Sequence, residues 1–139
     1  MDYVPKKFAD FKMGDTNIYT HTISEDDVKT FARITGDHNP LHLDEAYAQT
    51  TPFKGRVVHG MLVESIMSGG GSRFMGMGAI HVGHSAKFTA PTRIGDTVTV
   101  TSEIVDLMPE KRRLTIKCVC TNQDGVAVAE SETVVKLQQ

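Results

Sequence analysis

Asp37, Asn39 and His42 fall within six residues of one another in Asp37-His38-Asn39-Pro40-Leu41-His42. They bring a carboxylate, an amide and an imidazole to a segment that Pro40 keeps out of regular helix, since the ring removes a donor and biases Asn39 away from the α region. A carboxylate and a neutral imidazole that share one water can take a proton from it during its attack and supply a proton to the neighbouring atom. Hydration of an α,β-unsaturated thioester has those needs: oxygen attacks C3 and a proton goes to C2. Asn39, donor and acceptor at once, can orient the pair or the loop. The residues alone leave a plainer alternative open, in which Asp37 and Asn39 form local Asx turns and His42 caps or packs.

The flanking elements must present this segment. Thr16 to Ile23 alternates β-branched and aromatic residues with polar ones, the pattern of a first strand. Ser24 is an N-cap with Asp27 three residues on, acids fill the first turn, and Val28, Phe31 and Ile34 recur at helical spacing, so a short amphipathic helix leads up to Gly36, its C-terminal stop. Beyond His42, Asp44 to Gln49 is expected to add a helical turn, and Thr51 to Val58 reads as irregular around Pro52 and Gly55. Gly60 to Met67 is the most apolar helical stretch, with Met61, Leu62, Ser65, Ile66 and Gly69 spaced to fill one or two faces. Gly69-Gly70-Gly71 is read as its terminator.

From Ala79 the chain changes to four long strands, about Ala79 to Ala90, Thr97 to Leu107, Leu114 to Asn122 and Val126 to Leu137. Turn signals at Gly95-Asp96, Pro109-Glu110-Lys111 and Asn122-Gln123-Asp124-Gly125 make hairpins, so the sheet is expected to be largely antiparallel. Val98, Val100, Ser102 and Ile104 alternate with Thr97, Thr99, Thr101 and Glu103, as one covered face requires. One early strand, a buried helix and four later strands imply an α+β fold in which a curved sheet wraps a central helix, the hot-dog arrangement. Its open edges favour homodimerisation by sheet continuation.

Composition narrows the partners. The 139 residues suit one domain, 1–139. Fifteen Lys+Arg against seventeen Asp+Glu give a formal charge of -2, with no global reason to bind nucleic acid or an anionic membrane. Met1 to Asp10 carries neither a signal-peptide core nor an anchor, and no window is apolar enough to span a bilayer, so a soluble cytoplasmic protein is expected. Cys118 and Cys120 share one strand face and suit neither a disulfide nor a metal site. His38 and His42 are separated by Pro40 and lack a third ligand, so no metal is expected. His59 is either pocket-lining or a packed histidine. His81 and His84 are expected on opposite sheet faces, unpaired. Ser65 and Ser68 lack a nucleophile-elbow context.

The stretch Phe31-Ala32-Arg33-Ile34-Thr35-Gly36-Asp37-His38-Asn39-Pro40-Leu41-His42, with Ala48 six residues beyond, resembles the hydratase 2 signature of MaoC-like dehydratase domains. Val58-His59-Gly60-Met61-Leu62 and Ser68 look like that family's central-helix start and its serine near the active site, and the similarity continues through Phe88 and Gly95-Asp96 toward Val135. The resemblance implies an (R)-specific enoyl-CoA hydratase, a lyase of acyl-thioester and fatty acid metabolism, with Asp37 and His42 as the catalytic pair. Coenzyme A enters as part of the substrate and no cofactor is implied.

On a hot-dog fold the backbone N–H of Gly60, unpaired at the positive end of the buried helix, can bind the thioester oxygen as an enolate forms. Gly60 can also serve close helix–sheet packing. Ser68 is a supporting residue that either bonds His42 or its loop, or fits the packing. Two other readings remain: a hot-dog acyl-CoA thioesterase, and a non-catalytic acyl-thioester binding domain. Lys54, Arg56, Arg73, Lys87 and Arg93 are cations that coenzyme A phosphates could use, with none singled out.

Overall fold

The segment that presents Asp37 begins at a reciprocal cap. Ser24 Oγ accepts from Asp27 N–H at 3.0 Å and Asp27 Oδ2 accepts from Ser24 N–H at 2.9 Å, starting helix α1 (Glu25–Thr35). Val28 and Ala32 bury its inner face, and Gly36 ends it at φ 77°, a left-handed position that glycine takes without steric cost. Strand β1 (Thr16–Thr22) precedes α1. The computed structural model describes residues 3–139; Met1 and Asp2, the first part of the Met1–Asp10 segment considered above, lie outside the described residues.

After Gly36 the expected loop is partly helical. Pro40–Leu43 makes one turn, α2, so His42 sits on a helical turn and not on irregular chain. Proline is tolerated there because it occupies the first helical position, where the missing N–H has no intrahelical partner anyway. The short helix α3 (Glu45–Gln49) follows, capped by Asp44. Helix α4 then runs from Gly60 to Met75, straight through the glycines expected to stop it. Gly70 faces Tyr19 of β1, where an added Cβ would come within 3.1 Å of the Tyr19 Cβ, so the glycine brings helix and strand together. The stop is Gly76, at φ 74°, where a side chain would run into the Val4 carbonyl. The buried face of α4 also differs from the expected one: Leu62, Val63, Glu64, Met67, Gly70, Phe74 and Met75 are buried, while Met61 is 59% exposed.

Strands β2 (Ala79–Phe88), β3 (Thr97–Met108), β4 (Arg113–Thr121) and β5 (Ala127–Leu137) complete one antiparallel sheet in the order β1-β3-β4-β5-β2. Each expected strand is present within two residues of its ends. Val98, Val100, Ser102 and Ile104 are buried on the face that α4 covers, together with Ile116, Cys118 and Cys120 of β4. This is the hot-dog fold, with α4 as its filling. Both cysteines are free; burial raises both thiols, Cys120 to about 12. No helix among the described residues is long and apolar enough to cross a membrane.

One expectation about β2 fails. A bulge between His81 and Gly83 shifts the register against β5, and a one-residue slip moves a side chain to the other face. His81 and His84 therefore stand together, ring centres 5.3 Å apart.

Candidate active site

Helix α1 delivers Asp37 one residue past its glycine stop, and α2 delivers His42. Asn39 joins them: its N–H donates to Asp37 Oδ1 at 3.2 Å and its own Oδ1 accepts from Leu41 N–H at 3.0 Å, capping α2. The local Asx turns weighed against a functional reading are thus present. Asp37 is exposed and His42 half-buried.

The tautomer of His42 follows from its neighbour. Nδ1 lies 2.8 Å from the Val57 carbonyl oxygen, which can only accept, so Nδ1 carries the proton and in the neutral ring Nε2 is left as a base. His59 obeys the same logic: Nε2 donates to the Asp37 carbonyl at 3.0 Å, leaving Nδ1 an acceptor that is buried and without a partner among the described residues. The His59 ring stacks on His42 at 4.0 Å between centres and on Phe31 at 4.9 Å. Burial holds the His59 pKa below its ordinary value of 6.5, against the Asp37 carbonyl bond, which favours the charged form. The buried ring is a neutral platform that locks Asp37 and His42 to each other.

One side-chain donor atom from each of Asp37, His42 and His59 lies within 4.8 Å of the others. A water with two hydrogen bonds of ~2.8 Å at a tetrahedral angle has its acceptors about 4.6 Å apart, so one water can bridge the Asp37 carboxylate and the His42 imidazole. A cation would also find three donors at this spacing, whereas one water can donate to two of the three at a time.

Arg56 is a residue that motif reading did not single out for this site. Its Nε donates to the His42 carbonyl at 2.7 Å, while its two terminal nitrogens form a fork with Glu25 at 3.0 Å each. The start of α1 is thereby tied to the residue that carries the imidazole. Arg93 holds the same loop through the carbonyls of Gly55, Arg56 and Phe53. Among the five cations considered for coenzyme A, these two are engaged inside the fold, and the guanidinium of Arg73 lies 4.1 Å from the Tyr19 ring centre.

His59 is also the N-cap of α4 and makes no side-chain cap, so the first N–H groups of the helix, Gly60's among them, have no partner in it. Gly60 lines a cavity of about 420 Å³ together with His42, Val57, Val63 and Phe88. A Cβ on Gly60 would come within 3.0 Å of the Phe88 ring, so close packing is a role of this glycine beside any role of its N–H. The structure brings Asp37, Asn39, His42 and Gly60 to one end of α4. Ser68 lies two turns further on, lining a separate cavity with Glu64, His81 and Ser131. Glu64 was the signal available for that second cavity: a carboxylate in the most apolar helix of the chain.

Known proteins resemble this chain in sequence and fold. Residues 11–128 match the family model described as "MaoC like domain". The chain is 44% identical to the (R)-specific enoyl-CoA hydratase of Rhodospirillum rubrum over 135 residues, covering 96% of this chain and 94% of the relative. It is 43% identical to the 3-hydroxybutyryl-CoA dehydratase of Methylorubrum extorquens, covering 94% and 83%. Among solved structures, the unliganded R-hydratase of Pseudomonas aeruginosa superposes with a TM-score of 0.88 at 36% identity, covering 94% of this chain and 84% of that one. The Aeromonas caviae (R)-hydratase gives 0.86 at 37% identity, covering 91% and 97%. With the loop, the central helix and the sheet all matched, the chain belongs to the MaoC-like domain family.

Proposed function

We propose that this protein is an (R)-specific enoyl-CoA hydratase that adds water reversibly, in syn fashion, to trans-2-enoyl-CoA to give (R)-3-hydroxyacyl-CoA. The observation that carries the reading is the pairing of a tautomerically fixed His42 with Asp37 at the span of one water. The names of the relatives at 44% and 43% identity agree with it, and the first of them supplies the stereochemistry.

In the forward direction the water donates one hydrogen to His42 Nε2 and the other to the Asp37 carboxylate. As its oxygen bonds to C3, one proton passes to the dyad and the π electrons move onto the thioester oxygen. The N–H of Gly60, at the positive end of α4, meets the developing charge. A proton from the dyad then bonds to C2, so water's elements end on C3 and C2 and the protein returns to its starting state. Both reacting groups lie on one side of the bound thioester, which is the condition for syn addition. No metal or other cofactor takes part; coenzyme A is carried by the substrate.

Strand β2 forms one edge of the sheet and exposes Ile80, Val82 and Phe88. Such an edge favours pairing with a second copy, so the working unit is proposed to be a homodimer acting on acyl thioesters in the cytoplasm, in fatty acid metabolism. Adding protein to crotonyl-CoA and following the loss of its enoyl absorbance tests the reaction. A thiol reagent in parallel separates hydration from thioester hydrolysis: released coenzyme A without formation of 3-hydroxybutyryl-CoA would defeat the proposal.

A further inference from the structure

A second carboxylate–imidazole pair lies outside the dyad. Glu64 leaves α4 four residues after Gly60, about 6 Å further along the helix axis. Its side chain is 7% exposed, and His84 Nε2 stands 2.6 Å from its Oε1. That contact is close but poorly aimed, and neither Glu64 oxygen has a well-formed hydrogen bond among the described residues. The other ring nitrogen of His84 meets Thr133 Oγ1 at 2.9 Å, which fixes the imidazole in place.

Glu64 faces a cavity of about 190 Å³ with apolar walls from Met67, Ile116 and Val135 and a polar patch that adds His81, Ser131 and Thr133 to Glu64. This cavity follows the His42 cavity along the same seam. Gly60 and Val63 of α4 and Val128 of β5 line the first; Glu64 and Met67 of α4 and Ser131 of β5 line the second. An acyl chain whose thioester oxygen sits at Gly60 has this seam to run along.

A buried carboxyl is poorly served by badly aimed donors, and a plain alkyl chain would add none to the Glu64 oxygens. A hydroxyl group both donates to a Glu64 oxygen and accepts from a neighbouring donor. A carboxylate would meet like charge at Glu64, and an ammonium would lose its hydration for one poorly balanced partner. We propose that this cavity holds the distal part of the acyl group and that Glu64 and His84 make it select acyl chains bearing a hydroxyl over alkyl chains of the same size. This assignment rests on the hydratase reading above.

The test pairs ω-hydroxy trans-2-enoyl-CoA thioesters of six to nine carbons with alkyl thioesters one carbon longer, so that hydroxyl replaces methyl at constant size. Wild-type protein is expected to favour the hydroxylated member by about tenfold or more in kcat/KM at the best-fitting length, the discrimination expected of one hydrogen bond to a carboxylate. Glu64→Leu, which fills the site with an apolar group, is expected to reverse the preference while crotonyl-CoA, too short to reach Glu64, is hydrated at the wild-type rate. Equal rates for the two members of every pair, or an unchanged ratio in Glu64→Leu, would overturn the assignment. Binding of the saturated analogues by titration calorimetry gives the same ratio without turnover. Failure to hydrate crotonyl-CoA while the binding ratio holds would therefore sink the reaction and not the subsite; absence of binding by either analogue would sink both.

Discussion

The molecule holds two carboxylate–imidazole pairs built from the same functional groups in opposite settings. Asp37 and His42 stand apart by the span of a water, at the surface end of α4, and the second nitrogen of His42 is tied to a backbone carbonyl. Glu64 and His84 touch directly inside the fold, and the second nitrogen of His84 is tied to a hydroxyl that can itself rotate. Separation leaves the first pair a place for a reacting molecule and fixes which nitrogen is basic. Contact leaves the second pair no room for a water between its members. Chemistry therefore follows from spacing and from the fixed tautomer, not from the presence of an acid and a histidine.

The largest effect that can break this contrast is at the first pair. Asp37→Asn and His42→Gln keep similar shapes and are each expected to lower kcat for crotonyl-CoA hydration by about 10²–10⁴, the range of a lost general acid or base. Circular dichroism and thermal melting should show both variants folded. Wild-type rates in either folded variant would remove the dyad from the mechanism. Arg56→Met comes next. It frees the His42 carbonyl from Glu25 and is expected to lower kcat by about tenfold with a smaller change in KM, and to lower stability by about 1–3 kcal/mol, the cost of leaving charged and carbonyl partners unpaired. Arg56→Lys cannot fork onto Glu25 and reach His42 together, so it should recover little of the rate.

His59 gives a smaller effect, read through stability. Its folded pKa lies below 6.5, so between that lower value and 6.5 the unfolded chain binds a proton that the folded chain refuses. Stability is fully present above pH 6.5 and falls as the pH drops below it. In His59→Gln, which keeps a donor for the Asp37 carbonyl, that slope should be missing. The difference in melting temperature between wild type and variant is therefore expected to narrow from pH 7 to pH 5.5; a constant difference would show that the ring titrates as it does in the unfolded chain.

The segment from Asp37 to His42 was legible because its information is local. Asn39 and Pro40 write a cap and a first helical position, Ser24 and Asp27 write a reciprocal cap, and Gly36 writes a left-handed stop, each within a few residues of its partner. The hairpins of β3, β4 and β5 were legible for the same reason. What sequence reading misplaced depends on distant partners. Gly69 to Gly71 look like a stop until Tyr19, some fifty positions earlier, is seen packed on Gly70. His81 and His84 look unpaired until the bulge against β5 turns them to one side. Arg56 looks like a surface cation until Glu25 and the His42 carbonyl close around it.

The smallest effect sharpens the second pair. Burial raises the Glu64 pKa above its ordinary 4.5, opposed by the nearby His84. Above pH 4.5 the unfolded chain releases a proton that the folded chain retains, so stability contributed by the protonated carboxyl is present below 4.5 and is lost as the pH rises through the folded value. Glu64→Gln has the shape of the protonated acid and no titration there. It is expected to melt close to wild type at pH 4.5 and above it at pH 8, by a few degrees if ~1 kcal/mol is at stake in a domain of this size. The sign separates two accounts of the pair. If His84 were mainly an ion-pair partner that held Glu64 charged, the variant would lose stability at neutral pH and the gap would run the other way. A gap that opens upward with pH identifies Glu64 as a buried acid kept for what it binds, at a cost to the fold.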